Sequence, residues 1–278
     1  MHTPMEAAAT EAPYDRFAAD YRDWWAPVIA PSAVTLLDRL DGQVPAERPT
    51  TLVDIGTGTG TLALAALRRW PQARVIGVDP ARRLLEMADT AAREAGLQDR
   101  LSTEVGEAGR LPLADGTVDG AMASFVLQLT PNRAAAVREA FRVLRPGGVF
   151  AHLTWRADED PFEPDFVFDD ALDALRINPA DRPGGGDRSY TSPESAAAEL
   201  RRAGFRSVRA RTAWLEHRFT PQSYLDLIEH WIEDDTFTSL DEPMRRRLRA
   251  EVLRRLERLR PDELAWRRPL ISVVAVRP

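Results

Sequence analysis

The sequence of 278 residues contains no cysteine and no lysine, and each absence excludes a class of chemistry. Without cysteine the chain cannot form a disulfide, a thiolate nucleophile or a zinc site built on sulfur. All 37 Lys/Arg positions are arginine, which excludes a Schiff-base lysine and the lysine of a nucleotide-binding P-loop. Metal-ligand spacing is also missing from the four histidines, so no metal site is expected at His2, His152, His217 or His230.

Long hydrophobic runs and an excess of positive charge are missing too. The longest apolar run, Leu62–Leu67, is far shorter than the ~18 residues that a membrane span requires. The segment Met1–Tyr14 has neither the basic region nor the apolar region of a secretory signal. Acidic side chains outnumber basic ones by 43 to 37, whereas general nucleic-acid binding usually needs a basic face. These features predict a cytoplasmic protein that binds neither membranes nor nucleic acid.

Strand patterns alternate with helix patterns through the middle of the chain. The five strand candidates are Thr51–Ile55, Arg74–Val78, Leu101–Val105, Asp119–Phe125 and Val149–Trp155. The helices predicted between them are Leu62–Trp70, Ala81–Ala95 and Arg133–Leu144. Alternation of this kind over short loops favours βαβ units, and therefore a mostly parallel sheet with helices on both faces.

The last third of the chain adds two strands and more helices. Helices are predicted at Phe166–Leu175, from the capping residue Ser192 to Gly204, and over Met244–Leu259, and strands at Ser207–Phe219 and Leu270–Val276. The arginine-rich face of the helix after Met244 is interpreted as solvent-exposed. The acidic run Asp158-Glu159-Asp160 is interpreted as a solvated loop rather than a metal site.

Aromatic residues recur at steps of three and four near the start of the chain, at Tyr14, Phe17, Tyr21, Trp24 and Trp25. This spacing places most of the rings on one face of a helix, which Pro27 and Pro31 are predicted to end. The charged residues Asp15, Arg16, Asp20, Arg22 and Asp23 supply a polar face. The segment is therefore predicted to be a mobile lid, and the alternative is an ordinary packing stripe.

The strongest local signal is a glycine-rich turn between the first strand and the first helix of the alternating region. Gly56, Gly58 and Gly60 let the backbone approach a ligand, and the following helix start favours anionic groups. Thr61 stands where a dinucleotide-binding fingerprint has its third glycine, which disfavours a nicotinamide cofactor. The carboxylate of Asp54 either meets a cationic ligand group or braces the turn.

Asp79 ends the second strand candidate, within the sequence VIGVDP. A carboxylate at this position accepts hydrogen bonds from both hydroxyls of a ribose, which predicts a nucleoside ligand without specifying which one. The alternative role is to cap the helix that begins at Ala81.

Four segments, DIGTGTG, GVDP, VGEAGRLPLADGTVDGAMASFVLQL and REAFRVLRPGGVFAHLTW, occur in one order and spacing. With them the chain resembles the class I S-adenosylmethionine-dependent methyltransferases, specifically the UbiE-like small-molecule branch, over roughly Tyr14 to Trp155. The resemblance implies a Rossmann-like α/β fold with a seven-stranded sheet of order 3-2-1-4-5-7-6. It also implies S-adenosylmethionine as cofactor and methyl transfer to an O, N or C atom of a small, partly apolar acceptor, such as a secondary metabolite or quinone.

The resemblance also implies roles for individual residues on the cofactor. The three glycines would lie under its methionine part, with Asp54 near the amine. Asp79 would bind the ribose, Pro80 would pack beside the adenine, Glu107 would accept from the adenine amino group and Ala108 would offer its backbone N–H. Ser124 and Phe125, at the end of the fourth strand, would face the methionine and the site of transfer.

The same resemblance suggests that the N-terminal segment closes over the cofactor. Tyr14 or Tyr21 would then contact the methionine carboxylate, and Trp24 or Trp25 would form a wall of the acceptor pocket. No general base stands out in the sequence; His230 and Tyr14 are weak candidates.

The chain is expected to form one domain, with a lid at 1–45, a cofactor-binding core at 46–155 and cap insertions at 156–192 and 221–268. The remaining segments, 193–220 and 269–278, return to the core. Two other functions compete with methyl transfer at this stage: a nicotinamide-dependent oxidoreductase, and a cofactor-binding protein without catalysis.

Overall fold

A computed structural model describes residues 13–45, 47–157, 161–179 and 189–278 of the chain. Within these ranges a seven-stranded sheet has the order β3-β2-β1-β4-β5-β7-β6, which confirms the predicted fold. The strands are β1 (Thr50–Ile55), β2 (Ala73–Asp79), β3 (Leu101–Val105), β4 (Val118–Ser124), β5 (Leu144–Trp155), β6 (Arg206–Arg218) and β7 (Ala265–Val276). The pairs among β1 to β5 are parallel, and β7 is antiparallel to both of its neighbours.

Helices connect the strands and also precede them. They are α1 (Pro13–Arg16), α2 (Ala18–Asp20), α3 (Ala26–Val34), α4 (Thr61–Arg69), α5 (Arg82–Glu94), α6 (Arg133–Val143), α7 (Glu163–Leu175), α8 (Pro193–Arg202), α9 (Pro221–Leu227), α10 (Asp234–Ser239) and α11 (Glu242–Leu256). Two π-helical turns lie at Tyr21–Trp25 and Ile228–Ile232, and a 3-10 turn at Thr35–Arg39.

Neighbouring residues on the central strands point to opposite sides of the sheet, and both of these faces are buried under helices. Leu52, Met122, Ala151 and Val274 face the cluster that includes α3 and α4. The residues Val53, Ala121, Phe150 and Val273 face the cluster that includes α6 and α8. The carboxyl ends of β1, β2 and β4 meet at one edge, where ligands bind in sheets of this kind.

The N-terminal helix does not end at its prolines, so that prediction is wrong. Helix α3 begins at Ala26, places Pro27 in its first turn and contains Pro31. Pro27 follows the junction with the π-helical turn, where the Ala26 N–H donates to the Tyr21 carbonyl oxygen, and it has no N–H of its own to donate. Pro31 removes one helical donor, while burial of Val28 and Ile29 on the same helix stabilises it. The helical path is interrupted earlier, between α1 and α2 and at the π-helical turn.

Strand β5 begins at Leu144 rather than at the predicted Val149, and it therefore includes residues 145–148. Leu144 pairs with Val118 and Val149 pairs with Gly120, so residues 145–148 form a bulge opposite a single residue of β4. Glycines and a proline are compatible with such a bulge because the extra residues are not paired with β4. The Gly147 N–H donates instead to the Arg277 carbonyl oxygen, and the Arg277 N–H donates to that of Gly148.

Helices α7, α9 and α11 pack around a third apolar cluster, which is centred on side chains such as Phe168, Tyr224 and Leu248. The buried positions Leu248, Val252 and Leu256 confirm the predicted amphipathic helix. The division of the chain into lid, core and cap stays a prediction, and residues 1–12 of the lid lie outside the described residues.

In the described part of the chain, no helix is long and apolar enough to cross a membrane. Within the same ranges, no three His, Asp or Glu residues are grouped to hold a metal ion. The acidic run 158–160 lies outside the described residues.

Candidate cofactor and acceptor site

The glycine-rich turn follows β1 and leads into α4. Gly56 has a φ of 70°, and a Cβ there would lie 2.3 Å from Val126 Cγ2. Gly58 has a φ of 54°. Both conformations favour glycine, since L side chains rarely adopt a positive φ. The turn therefore has no side chain at Gly56 or Gly58 that would separate its backbone from a ligand at the carboxyl edge of the sheet.

Asp79 braces this turn from the end of β2. Its Oδ2 accepts a hydrogen bond from the Gly58 N–H at 2.9 Å, and its Oδ1 accepts one from the Ala81 N–H at 2.9 Å. Asp79 is 7 % exposed, and burial raises the pKa of its carboxyl. Each carboxylate oxygen keeps a second lone pair, so these bonds leave acceptors for the hydroxyls of a ribose.

Asp54 lies under the same turn and braces it. Its Oδ2 accepts a hydrogen bond from the Thr57 hydroxyl at 2.9 Å, and the Ala63 N–H of α4 also bonds to it. Asp54 is 1 % exposed, and burial raises its pKa to about 7. The bracing interpretation of Asp54 is thus observed, and its contact with a ligand amine stays a prediction.

The end of β4 supplies an unsatisfied polar atom and a strained residue. Ser124 Oγ is buried and has no hydrogen-bond partner among the described residues. Phe125 has a φ of 56°, which is unfavourable for an aromatic residue and is typical of functional sites. Both residues line a small cavity together with Asp54, Thr57 and Tyr21. A buried hydroxyl without a partner fits a polar ligand group in this cavity.

The predicted lid contacts the glycine turn. A Cβ at Gly58 would lie 3.5 Å from the Tyr21 hydroxyl oxygen. The rings of Tyr14 and Tyr21 are 5.8 Å apart, and both lie near Trp231, at 6.2 and 5.7 Å. Burial and the nearby Asp79 raise the pKa of Tyr14, and burial raises the pKa of Tyr21. The structure thus brings the two tyrosines to the predicted cofactor site.

The sequence predicts that Asp15 belongs to the polar face of the lid, but the structure buries this side chain. It is 7 % exposed, and its Oδ1 accepts a hydrogen bond from the Arg83 N–H at 2.8 Å. Helix α5 begins after Ala81, whose side chain has no acceptor for the first amides of the helix. Asp15 therefore caps α5 from the lid, and a carboxylate there is also favoured by the helix dipole.

The residues predicted around the adenine lie on the loops after β2 and β3. Pro80 and Glu107 are exposed, and Ala108 is partly buried. The carbonyl oxygen of Glu107 accepts a hydrogen bond from the Arg110 N–H at 2.9 Å, which closes a tight turn. Because β2 and β3 are neighbours, these loops are adjacent. Their roles toward adenine stay predictions.

The other predicted lid and catalytic residues differ in whether they line a cavity at the site. Trp24 stacks on His230 with ring centres 4.8 Å apart, and 42 % of the His230 side chain is exposed. In the described part of the chain, neither residue lines the two cavities at the site. This position gives no support to His230 as a general base. Trp25, in contrast, lines the larger cavity.

This larger cavity has a volume of about 270 Å³. Its aromatic lining residues are Trp25, Phe162, Phe168, Phe219, Tyr224 and Trp266, and its charged ones are Asp165, Asp169, Glu233 and Arg268. The Tyr224 hydroxyl donates a hydrogen bond to Asp165 Oδ1. Partial desolvation raises the pKa of Asp165. Asp165 was missed from the sequence, although it shares a face of α7 with Phe168, three residues later.

A row of aromatic rings joins the two cavities. Phe125, which lines the small cavity, has its ring centre 4.8 Å from that of Trp155. Trp155 in turn lies 6.3 Å from Trp25, which lines the large cavity. The site is therefore a polar cradle at the sheet edge beside an aromatic cavity that α7 and α9 help to line.

The chain is similar to known proteins in sequence and in fold. Residues 52–148 match the sequence profile described as "Methyltransferase domain". The ubiquinone/menaquinone biosynthesis C-methyltransferase UbiE of Dinoroseobacter shibae is 30 % identical over 174 residues, which cover 58 % of this chain and 68 % of the relative. The 27-O-demethylrifamycin SV methyltransferase of Amycolatopsis mediterranei is 35 % identical over 116 residues, which cover 42 % of each chain.

The chain spans 68 % of the length of that UbiE, but only 42 % of the rifamycin methyltransferase and 31 % of a further relative, a 37.1 kDa protein encoded in a Streptomyces fradiae transposon. Among solved structures, the YcgJ protein of Bacillus subtilis superposes with a TM-score of 0.58 at 20 % identity, over 89 % of this chain and 98 % of that chain. At this identity the likeness supports the fold alone.

Proposed function

The chain belongs to the class I S-adenosylmethionine-dependent methyltransferases, and we propose that it transfers a methyl group to a small, partly apolar molecule. The acceptor atom is an O, N or C atom, and S-adenosylhomocysteine is the second product. The observation that carries the proposal is the bare glycine turn braced by Asp79 beside the unsatisfied Ser124 Oγ. Together they form a cradle for a nucleoside with a polar amino-acid tail.

The residues present fit this cofactor at several points. The Gly58 turn offers a close backbone approach, Asp79 offers acceptors to the ribose and Ser124 offers a buried hydroxyl to the methionine part. The hydroxyl of Tyr21 closes over the turn. Adenine contacts from Pro80, Glu107 and Ala108 belong to the same proposal.

When bound, S-adenosylmethionine supplies a methyl group that is already activated by a positively charged sulfur. The protein then has to orient the acceptor in line with that group and to keep water away. Trp25 and Phe125 are placed for both tasks, because Trp25 lines the large cavity, Phe125 lines the small one and both rings lie near Trp155.

The size and lining of the large cavity support a small acceptor. A cavity of about 270 Å³ lies just below the range of ~300–1,000 Å³ that is typical of ligand sites, and six aromatic side chains line it. A nicotinamide-dependent reaction is not supported, since Thr61 replaces the third glycine of the dinucleotide fingerprint.

The proposal is tested by turnover. The full-length protein is incubated with S-adenosylmethionine and a panel of small amines, phenols and carbon acids, and S-adenosylhomocysteine release is followed by mass spectrometry. The expected result is release that depends on one acceptor class and disappears in a Gly58→Val variant. Cofactor binding without release for any acceptor would support a binding protein without catalysis instead.

A further inference from the structure

The larger cavity combines aromatic walls with negatively charged side chains. Its rings support one another, with centre distances of 5.3 Å for Phe219 and Tyr224, 5.6 Å for Phe162 and Tyr224, and 6.0 Å for Trp25 and Trp266. Edge-to-face and tilted contacts of this kind fix the rings in place. Fixed aromatic walls attract organic cations as well as apolar groups, because the face of each ring is electron-rich.

The charged lining of the cavity is predominantly acidic. Asp165 and Asp169 lie one turn apart on α7, and Glu233 follows the second π-helical turn. Against these three carboxylates the described lining residues include one guanidinium, that of Arg268. The pKa of Tyr224 is raised by its burial and by the same carboxylates, which places their negative field at its hydroxyl.

We propose that this cavity binds an organic ammonium group, so that the acceptor is an amine and the methyl group is transferred to nitrogen. This inference rests on the proposed methyl transfer. An anionic acceptor would face three carboxylates against one arginine. A neutral hydrocarbon would satisfy the rings but would bring no positive charge to the acidic lining, in which Tyr224 already donates a hydrogen bond to Asp165 and Thr236 donates one to Glu233.

Asp165 is the group placed to take the proton of the bound ammonium. It is accessible from solvent, and Tyr224 holds its Oδ1. The ammonium N–H proton moves to the Asp165 carboxylate, and the nitrogen lone pair forms the new bond to the methyl carbon. The carbon–sulfur bond breaks with its electron pair on sulfur, which becomes a neutral thioether. The methylated amine keeps the positive charge, and the Asp165 proton passes to solvent.

The test uses choline and its uncharged carbon isostere, 3,3-dimethyl-1-butanol, as probes of the same shape. Binding is followed by tryptophan fluorescence, since Trp25 and Trp266 line the cavity. The anion 3,3-dimethylbutanoate is the third probe. The expected result is that choline binds at least tenfold more tightly than the isostere, and that the anion binds most weakly.

Two variants test whether the acidic residues of the cavity cause the preference for choline over its isostere. Asp165→Asn is expected to reduce it at least fivefold, and Glu233→Gln, which leaves α7 intact, is expected to reduce it in the same direction. The control is Asp170→Asn on the same helix, whose side chain is 70 % exposed beside Arg255 and outside the cavity lining. This control is expected to bind all three probes as the wild type does.

Equal binding of choline and its isostere, tighter binding of the anion, or no binding of any probe would each overturn the inference. Titration with S-adenosylhomocysteine in parallel separates this failure from failure of the proposed function. Normal cofactor binding without a preference for choline removes only the amine acceptor. A preference for choline without cofactor binding removes methyl transfer and leaves a cation-binding cavity.

Discussion

Replacement of Asp15 by alanine tests whether the lid is tied to the cofactor site. Asp15 Oδ1 accepts from the Arg83 N–H at 2.8 Å, and Ala81 cannot replace this cap locally. Loss of a helix cap costs about 0.5–2 kcal/mol. The predicted lid makes this bond only when it is packed against α5. The substitution therefore destabilises the packed arrangement of the lid by the same free energy. The affinity for S-adenosylhomocysteine should therefore fall roughly 2- to 30-fold, at tenfold per 1.4 kcal/mol.

The assay is titration calorimetry with S-adenosylhomocysteine, together with hydrogen exchange across residues 14–25. In the wild type, exchange of this segment should be fast without ligand and slow with it, and Asp15→Ala should weaken the protection. Asp23→Ala is the matched control, because Asp23 is 49 % exposed and pairs with the adjacent Arg22. If Asp15→Ala and Asp23→Ala bind the ligand equally well, or if protection is equal in both states, the lid reasoning is refuted.

Three further substitutions test separate parts of the structure. Asp79→Ala should weaken S-adenosylhomocysteine binding by about 1.5–3 kcal/mol, the range for hydrogen bonds to a charged acceptor, with an unchanged circular dichroism spectrum; unchanged affinity would remove Asp79 from the site. Gly58→Val should abolish binding, since a branched side chain is strained at a φ of 54° and would crowd Tyr21; a folded variant that binds normally would place the ligand elsewhere. Burial lowers the pKa of His152 from 6.5 to about 3, so the folded protein holds this imidazole neutral. Protonation then favours the unfolded chain, and the free energy of unfolding decreases as the pH falls below 6.5. Between pH 7.5 and 5 the free energy of unfolding should fall by about 2 kcal/mol more in the wild type than in His152→Leu, measured with urea, and equal losses would contradict this.

The sequence was sufficient to predict the parts of the site that lie close together along the chain. The glycine turn directly follows β1, and Asp79 ends β2. Because β1 and β2 are parallel neighbours, their carboxyl ends lie side by side, and this placement does not depend on the rest of the chain. The order of the outer strands came from the family resemblance, because alternation of strands and helices fixes a parallel sheet but not the order of β6 and β7.

Contacts between distant segments were not predictable in the same way. Asp15 meets Arg83, and Asp165 meets Tyr224, across 68 and 59 residues of sequence. From the sequence, Asp15 is assigned to a polar face, since charged residues are usually exposed, and no pattern singles out Asp165. One signal was available for the first pair: Ala81 cannot cap α5, which indicated that an acceptor had to come from elsewhere.

The most direct measurement is calorimetric titration of the wild-type, full-length protein with S-adenosylhomocysteine and, separately, with NADH. Asp79, the glycine turn and the orphaned Ser124 hydroxyl predict saturable binding of S-adenosylhomocysteine at one site per chain, and no binding of NADH. Saturable binding of NADH, or a folded protein that takes up neither ligand, would contradict the assignment of this site to methyl transfer.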